Sequence, residues 1–282
     1  MAKRPGFLDV GALRGVSPMA GARRASLMQG FLGALLPVQC AGCLAWDEVL
    51  CPSCRALASS PPVFTSVEGR HVPIPGVVLG EYSGPLRRIV LAAKHAARTD
   101  VSAFLDEAGA TLGASLWEAV GGMGTPAGAT VALPGRARSG DGAVRVWVVP
   151  APSSWGRRLR GRQVALPLAR GVARGLASVA PVGVRVCVVD ALTLRVGAGS
   201  QSGKAGAARV VGRMGAMRAR VAVPTGTIVI AVDDVVTTGA TIREMERALG
   251  RLEGVAALCR PRLICMMQVT DVLCCGYRLS IA

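Results

Sequence analysis

At 282 residues, 51% of them apolar, the chain is long enough for one sizeable core and a small appendage. No apolar run reaches the roughly 18 residues that a membrane-crossing helix needs, which argues for a soluble, cytoplasmic protein. The formal charge of +16 leaves two readings open: a polyanionic partner such as nucleic acid or a phosphate-bearing substrate, or an Arg-rich compositional bias spread over a solvated surface.

Residues 1–37 read as a disordered leader. Met1 to Gln29 is rich in Arg and Gly and has no period, and the apolar stretch Phe31 to Val38 lacks the flanks of a signal peptide. Nine cysteines with one dense cluster fit a metal site in a reducing compartment better than a disulfide framework. That cluster is CAGC and CPSC, with Cys40, Cys43, Cys51 and Cys54 as candidate ligands. Two CxxC turns a short hairpin apart suit one tetrahedral zinc; a redox-active CxxC is the alternative. Residues 38–58 are therefore expected to form a zinc ribbon, too small to fold without its metal. Residues 59–76, with their prolines and small residues, read as a linker.

From residue 77 to 282 the pattern becomes regular. A short strand begins at Val77. A helix from Pro85 to Arg98 and another from Val101 to Val120 follow, then a long loop from Gly121 to Gly142. Val144 to Pro152 reads as a buried strand. Arg160 to Val179 reads as a helix that Pro167 must kink or start late. Val184 to Asp190 is a strand, and Gly197 to Arg220 a basic, Gly-rich loop. Thr227 to Asp234 is a strand, Thr241 to Gly254 a helix, and Val255 to Val269 a final strand region. This alternation predicts an α/β fold, a mostly parallel sheet with helices on both faces. Cys187, Cys259, Cys265, Cys274 and Cys275 fall in apolar segments and read as core. His71 and His95 have no partners at ligand spacing.

The strongest chemical signal is VDDVVTTGAT. The apolar run Ile228 to Val232 ends in Asp233 and Asp234, and ligands bind at the carboxyl ends of parallel strands. Adjacent carboxylates there can accept hydrogen bonds from a diol and help to hold a divalent ion. Thr237, Thr238, Gly239, Ala240 and Thr241 then form a turn into a helix. Backbone N–H groups at a helix start, with hydroxyls around them, make a phosphate socket, and Gly239 lets the backbone come close to the anion. GSQSGK (Gly199 to Lys204) imitates a P-loop, but its spacing is short and Ala205 stands where Ser or Thr is needed.

VIAVDDVVTTGAT resembles the ribose-phosphate signature of type I phosphoribosyltransferases. More of the chain resembles one branch, the ComF family linked to DNA uptake. The matching pieces are the paired CxxC motifs, YSGPLRRIVLAAKH, VPAPSSWGRRLRGRQVALPLA and QSGKAGAARVVGR. The resemblance runs from about Val38 to the C-terminus. It implies a type I phosphoribosyltransferase fold that binds phosphoribosyl pyrophosphate with Mg²⁺ and transfers the phosphoribosyl group to a nitrogenous base. By resemblance, Asp233, Asp234, Arg209 and Lys94 are the catalytic candidates. Pro150, Ala151 and Pro152 receive pyrophosphate, with Arg157, Arg158 and Arg160 after them. Gln201, Lys204, Arg209 and Arg213 lie on a loop that would close over the substrate. Arg162 and Gln163 stand where the family usually carries Phe-Asn, and Gly212 or a neighbour stands where an Asn is expected soon after Arg209; both departures bear on turnover more than on binding. The rival expectation is an accessory protein of DNA uptake. It would meet single-stranded DNA or a helicase through the zinc ribbon and the basic surface. Aromatic stacking groups, only 4% of the chain, are scarce for gripping a single strand.

Overall fold

Long β-branched runs flanked by amphipathic segments build the sheet of this protein. The computed structural model describes residues 7–9, 38–96, 99–121, 144–153, 163–195 and 215–261. In chain order the elements are β1 (Phe7–Asp9), α1 (Pro52–Ala56), β2 (Val63–Glu68), β3 (Pro73–Glu81), α2 (Gly84–His95), α3 (Ser102–Gly121), β4 (Val144–Pro150), α4 (Ala165–Val179), β5 (Val184–Val189), β6 (Leu192–Leu194), β7 (Met217–Ala219), β8 (Ile228–Val235), α5 (Ala240–Leu249) and β9 (Gly254–Arg260).

Seven strands form one sheet in the order β1-β5-β4-β8-β9-β3-β2. The five central strands, β5 to β3, pair in parallel, and β1 and β2 close the edges antiparallel. The central strands β8 and β9 are buried along almost their whole length. That is the signature of a parallel sheet covered on both faces, and it explains their unbroken apolar runs. One face carries Val146, Val148, Ile230, Val232 and Leu258, and packs against α3 and α4. The other carries Trp147, Val149, Val229, Ala231 and Val255, and packs against Ile242, Met245 and Leu249 of α5. The class is α/β, as the alternating pattern predicts.

Helices α3 and α4 cross backbone to backbone. A Cβ on Gly171 or Gly175 would lie 2.0 Å from the carbonyl oxygen of Asp106 or Ala110. One on Gly109 or Gly113 would lie 2.3 or 2.2 Å from that of Leu168 or Val172. Both helices thus present glycines four apart on the facing side, where only hydrogen fits. Arg174 and Asp106 form an ion pair beside the crossing.

Several expectations change. The stretch expected as a linker, residues 59–76, contains β2 and the first half of β3. These strands form an antiparallel hairpin from Val63↔Val78 to Glu68↔Pro73. Pro73 opens β3, a position that a sheet tolerates, and Pro75 lies before β3 begins to pair with β9 at Gly76. The leader expected to be disordered contributes Phe7–Asp9, paired with Val189 to Cys187 of β5. The loop expected to run to Arg220 ends in β7, which pairs antiparallel with β6. Helix α4 starts at Ala165, so Pro167 lies in its first turn, where the lost N–H has no partner to lose. Strand β9 ends at Arg260; the rest of the region expected as strand, with Cys265, Cys274 and Cys275, lies outside the described residues. No helix among the described residues is long and apolar enough to cross a membrane.

Candidate functional site

The chain leaves β4 toward β5 on one side and leaves β8 toward β9 on the other. The crevice of a parallel sheet opens at such a reversal, outside the carboxyl ends of the two strands. Pro150 is aligned with Val232, and the Ala151 N–H donates to the Val232 carbonyl at 2.7 Å. Pro150, Ala151 and Pro152 are thereby held beside the acid pair at the end of β8. The two segments singled out from the sequence, far apart along the chain, meet at one point of the sheet.

Asp233 is 8% exposed, and its Oδ1 accepts the Asp234 N–H at 2.9 Å. Burial first, then the neighbouring Asp234 charge, pushes its carboxyl up to about 8, against the opposing pull of the Asp234 N–H and Lys94. Asp234 accepts the Val235 N–H at 2.8 Å on Oδ1. Its Oδ2 pairs with Nζ of Lys94, and both side chains are more than four-fifths buried. Lys94 comes from the last turn of α2, where the helix dipole favours a cation. Beneath them, Cys259 of β9 is fully buried. Burial and then the Asp234 charge raise its thiol to about 12, which keeps it protonated and inert.

After β8 the chain turns sharply. The Val236 N–H bonds to the Cys259 carbonyl at 3.0 Å, and Thr237 and Thr238 stand exposed. Gly239 has φ 69°, the left-handed conformation that glycine adopts without strain, and no side chain caps α5 behind it. The first N–H groups of α5 therefore have no side-chain cap. Ala240 and Thr241 open the helix. The β2 end lies close over this turn: a Cβ on Gly239 would come within 3.2 Å of the Glu68 carbonyl oxygen. Glu68 also pairs with Arg243 of α5 at 3.3 Å.

Arg209, Arg157, Arg160 and Gln201, together with Arg158, Lys204 and Arg213, lie outside the described residues. Two residues that the sequence did not single out anchor the neighbourhood. Glu244 of α5 is 5% exposed and accepts the Met217 N–H at 2.9 Å. Arg247 grips the same carboxylate at 2.8 and 2.9 Å and donates to the Met217 carbonyl at 2.6 Å. Burial acts to raise the Glu244 carboxyl, but Arg247 and the Met217 and Gly215 N–H groups outweigh it and hold it below its ordinary value. This network locks β7 to the helix that follows the threonine turn. In sequence, Glu244 and Arg247 look like an ordinary surface pair three residues apart; only the position of β7 reveals that the pair is covered. A cleft lined by Pro73, Val120, Glu246 and Leu252 lies at the amino ends of the strands, away from Asp233, and holds none of the candidate residues.

The four clustered cysteines converge, with their sulfurs all within 4.8 Å of one another. Cys43 and Cys51 are 3.5 Å apart, and all four are free thiols. Four thiols so close, drawn from a knuckle and the start of α1, can hold a metal ion such as zinc. The Gly42 and Cys51 N–H groups point at the Cys40 sulfur, each at 3.4 Å. Burial acts to raise the Cys40 thiol, but N–H groups of Cys43, Cys51 and Gly42 outweigh it and bring it down to about 6, which favours a thiolate ligand. The cluster is not a separate bead on a linker. Cys40, Leu50, Cys54 and Ala58 join one core with Ile89, Val90 and Phe104. The Arg88 side chain donates to the Gly42 carbonyl, and Ser59 bonds to Glu107 of α3 at 3.0 Å. The expectation that this module lacks a core of its own is met by a shared one. Compared with models of known protein families and with curated proteins, the chain matches none.

Proposed function

We propose that this chain binds phosphoribosyl pyrophosphate, or a related ribose 5-phosphate, at the carboxyl ends of β4 and β8, as a phosphoribosyltransferase-type protein of the ComF branch. One observation carries the reading: the acid pair and the uncapped threonine turn stand at the reversal point of the sheet, directly beside Pro150, Ala151 and Pro152. A diol and a phosphate need these two kinds of partner next to each other. Asp233 and Asp234 hold the ribose 2- and 3-hydroxyls, and the turn from Thr237 to Thr241 takes the 5-phosphate. The pyrophosphate would lie beside Pro150 to Pro152, whose one N–H, that of Ala151, is already given to the Val232 carbonyl, so its donors must come from other groups.

In the reaction, the bond from ribose C1 to the pyrophosphate oxygen breaks and pyrophosphate leaves with the electron pair. A nitrogen of the acceptor base bonds to C1 and loses its proton to solvent. The charge of Asp234 stabilises the positive charge that develops on the ribose, with the raised Asp233 carboxyl beside it as a hydrogen-bond partner. Mg²⁺ suits hard carboxylate oxygens and would neutralise the leaving pyrophosphate. On the structural side, the thiol cluster takes zinc, in keeping with a reducing cytoplasmic setting.

The test is calorimetric titration with phosphoribosyl pyrophosphate and Mg²⁺, followed by pyrophosphate release with a panel of bases. Asp233→Asn with Asp234→Asn should weaken donor binding by about 2 kcal/mol or more, the loss of charge-assisted hydrogen bonds. Wild-type protein that binds no donor overturns the reading. Binding without turnover for any base would shift it to the accessory role, in which the thiol-cluster module and the basic surface meet single-stranded DNA or a helicase.

A further inference from the structure

We propose that the Lys94 ammonium is the built-in counter-cation of the Asp233–Asp234 pair, competing there with a divalent ion, so that the pair opens to metal only when an anionic ligand draws Lys94 away. This rests on the reading of the pair as ligand-binding.

The chain has only three lysines, Lys3, Lys94 and Lys204, and uses arginine elsewhere for positive charge. Lys94 is the one lysine among the described residues, and it is placed on Asp234 Oδ2 with 19% of its side chain exposed, against 17% for Asp234. The choice of residue has a physical meaning. Arginine is a broad fork with delocalised charge, whereas the lysine ammonium is a compact, strongly hydrated point charge on a flexible stem. It is the side chain that most nearly stands in for a metal ion, and it can swing. Asp233 lies behind, 8% exposed, and is tied to Asp234 through the Asp234 N–H. A divalent ion on Asp234 would therefore meet a cation already seated. Two such charges cannot share one partly buried carboxylate without strong repulsion.

The phosphate socket begins three residues beyond Asp234, at Thr237. An anion held there attracts the ammonium, and its departure frees Asp234. Anion and metal binding then favour each other, and by linkage the coupling is the same in both directions. The pair is thus closed to a stray divalent ion in the absence of ligand.

Mn²⁺ alone is the probe, since it prefers oxygen donors and leaves the thiol cluster aside, and water-proton relaxation counts the bound ion. Wild-type protein should bind Mn²⁺ weakly. Lys94→Met should gain one site, with affinity raised at least about tenfold. Lys94→Arg keeps the charge, so with no other ligand present it should bind Mn²⁺ as weakly as the wild type, and Lys94→Met with Asp234→Asn should lose the gained site. If Lys94→Met does not fold, Lys94→Gln carries the same expectation. Equal Mn²⁺ binding by wild type and Lys94→Met, the same gain in Lys94→Arg, or a site that survives Asp234→Asn would each overturn the proposal. Ribose 5-phosphate binding to the wild type, measured in parallel without metal, tests the pocket reading separately: its absence removes that reading and leaves the Mn²⁺ comparison standing.

Discussion

Replacing Asp233 by Asn should change how stability depends on pH. In the folded protein the carboxyl is pushed from its ordinary 3.8 to about 8, chiefly by burial and then by the Asp234 charge. A carboxyl raised in this way binds its proton more tightly folded than unfolded. Its contribution is therefore present below about 4 and is lost as pH rises through the window up to about 8. One proton bounds the slope at about 1.4 kcal/mol per pH unit. An Asn keeps the shape and the acceptor for the Asp234 N–H but does not titrate. Urea denaturation from about pH 5 to about pH 8 should show wild-type stability falling relative to the variant, with the variant the more stable of the two at the upper end. Parallel curves for the two proteins would refute the reasoning, because they would mean that Asp233 is ionised across the whole range.

The remaining predictions concern the frame and the metal. Gly175→Ala places a methyl 2.0 Å from the Ala110 carbonyl oxygen, so α3 and α4 must part; the loss should reach about 1–3 kcal/mol in urea denaturation, where a neutral result would show that the crossing is loose. Glu244→Gln breaks the Arg247 fork and the hold on β7 and should cost about 1–3 kcal/mol, discounted because Arg247 is 33% exposed and can turn to water. The same variant should have a flatter acid limb, since a lowered carboxyl stabilises above its ordinary value of 4.5 and is lost as pH falls below it. Metal analysis of purified protein should find about one zinc per chain, lost in Cys40→Ser with Cys54→Ser; metal-free wild type with a Cys51–Cys54 disulfide would show a redox pair instead.

The sequence by itself determined those features whose cause is local. Val- and Ile-rich runs announced β4, β5 and β8, because the central strands of a covered parallel sheet are apolar over most of their length, the arginines of β4 and β5 standing only at their second positions. The run ending in Asp233, Asp234 and the Thr-Thr-Gly turn marked the candidate site, since the acids, the left-handed glycine and the helix start are neighbours along the chain. The paired CxxC turns were legible for the same reason. Tertiary structure decided whatever depends on partners distant in sequence. Residues 63–68 have the prolines and small residues of a linker around them, and become a strand because β3 supplies an edge to pair with. The cysteine module borrows its core from α2 and α3. Gly109, Gly113, Gly171 and Gly175 look like weak points in two helices until the opposing backbone is seen. Whether Asp233 is buried, and that Lys94 meets Asp234, follow from where α2 ends relative to β8. Those charges acquire their energies only from the low-dielectric surroundings that the fold creates around them.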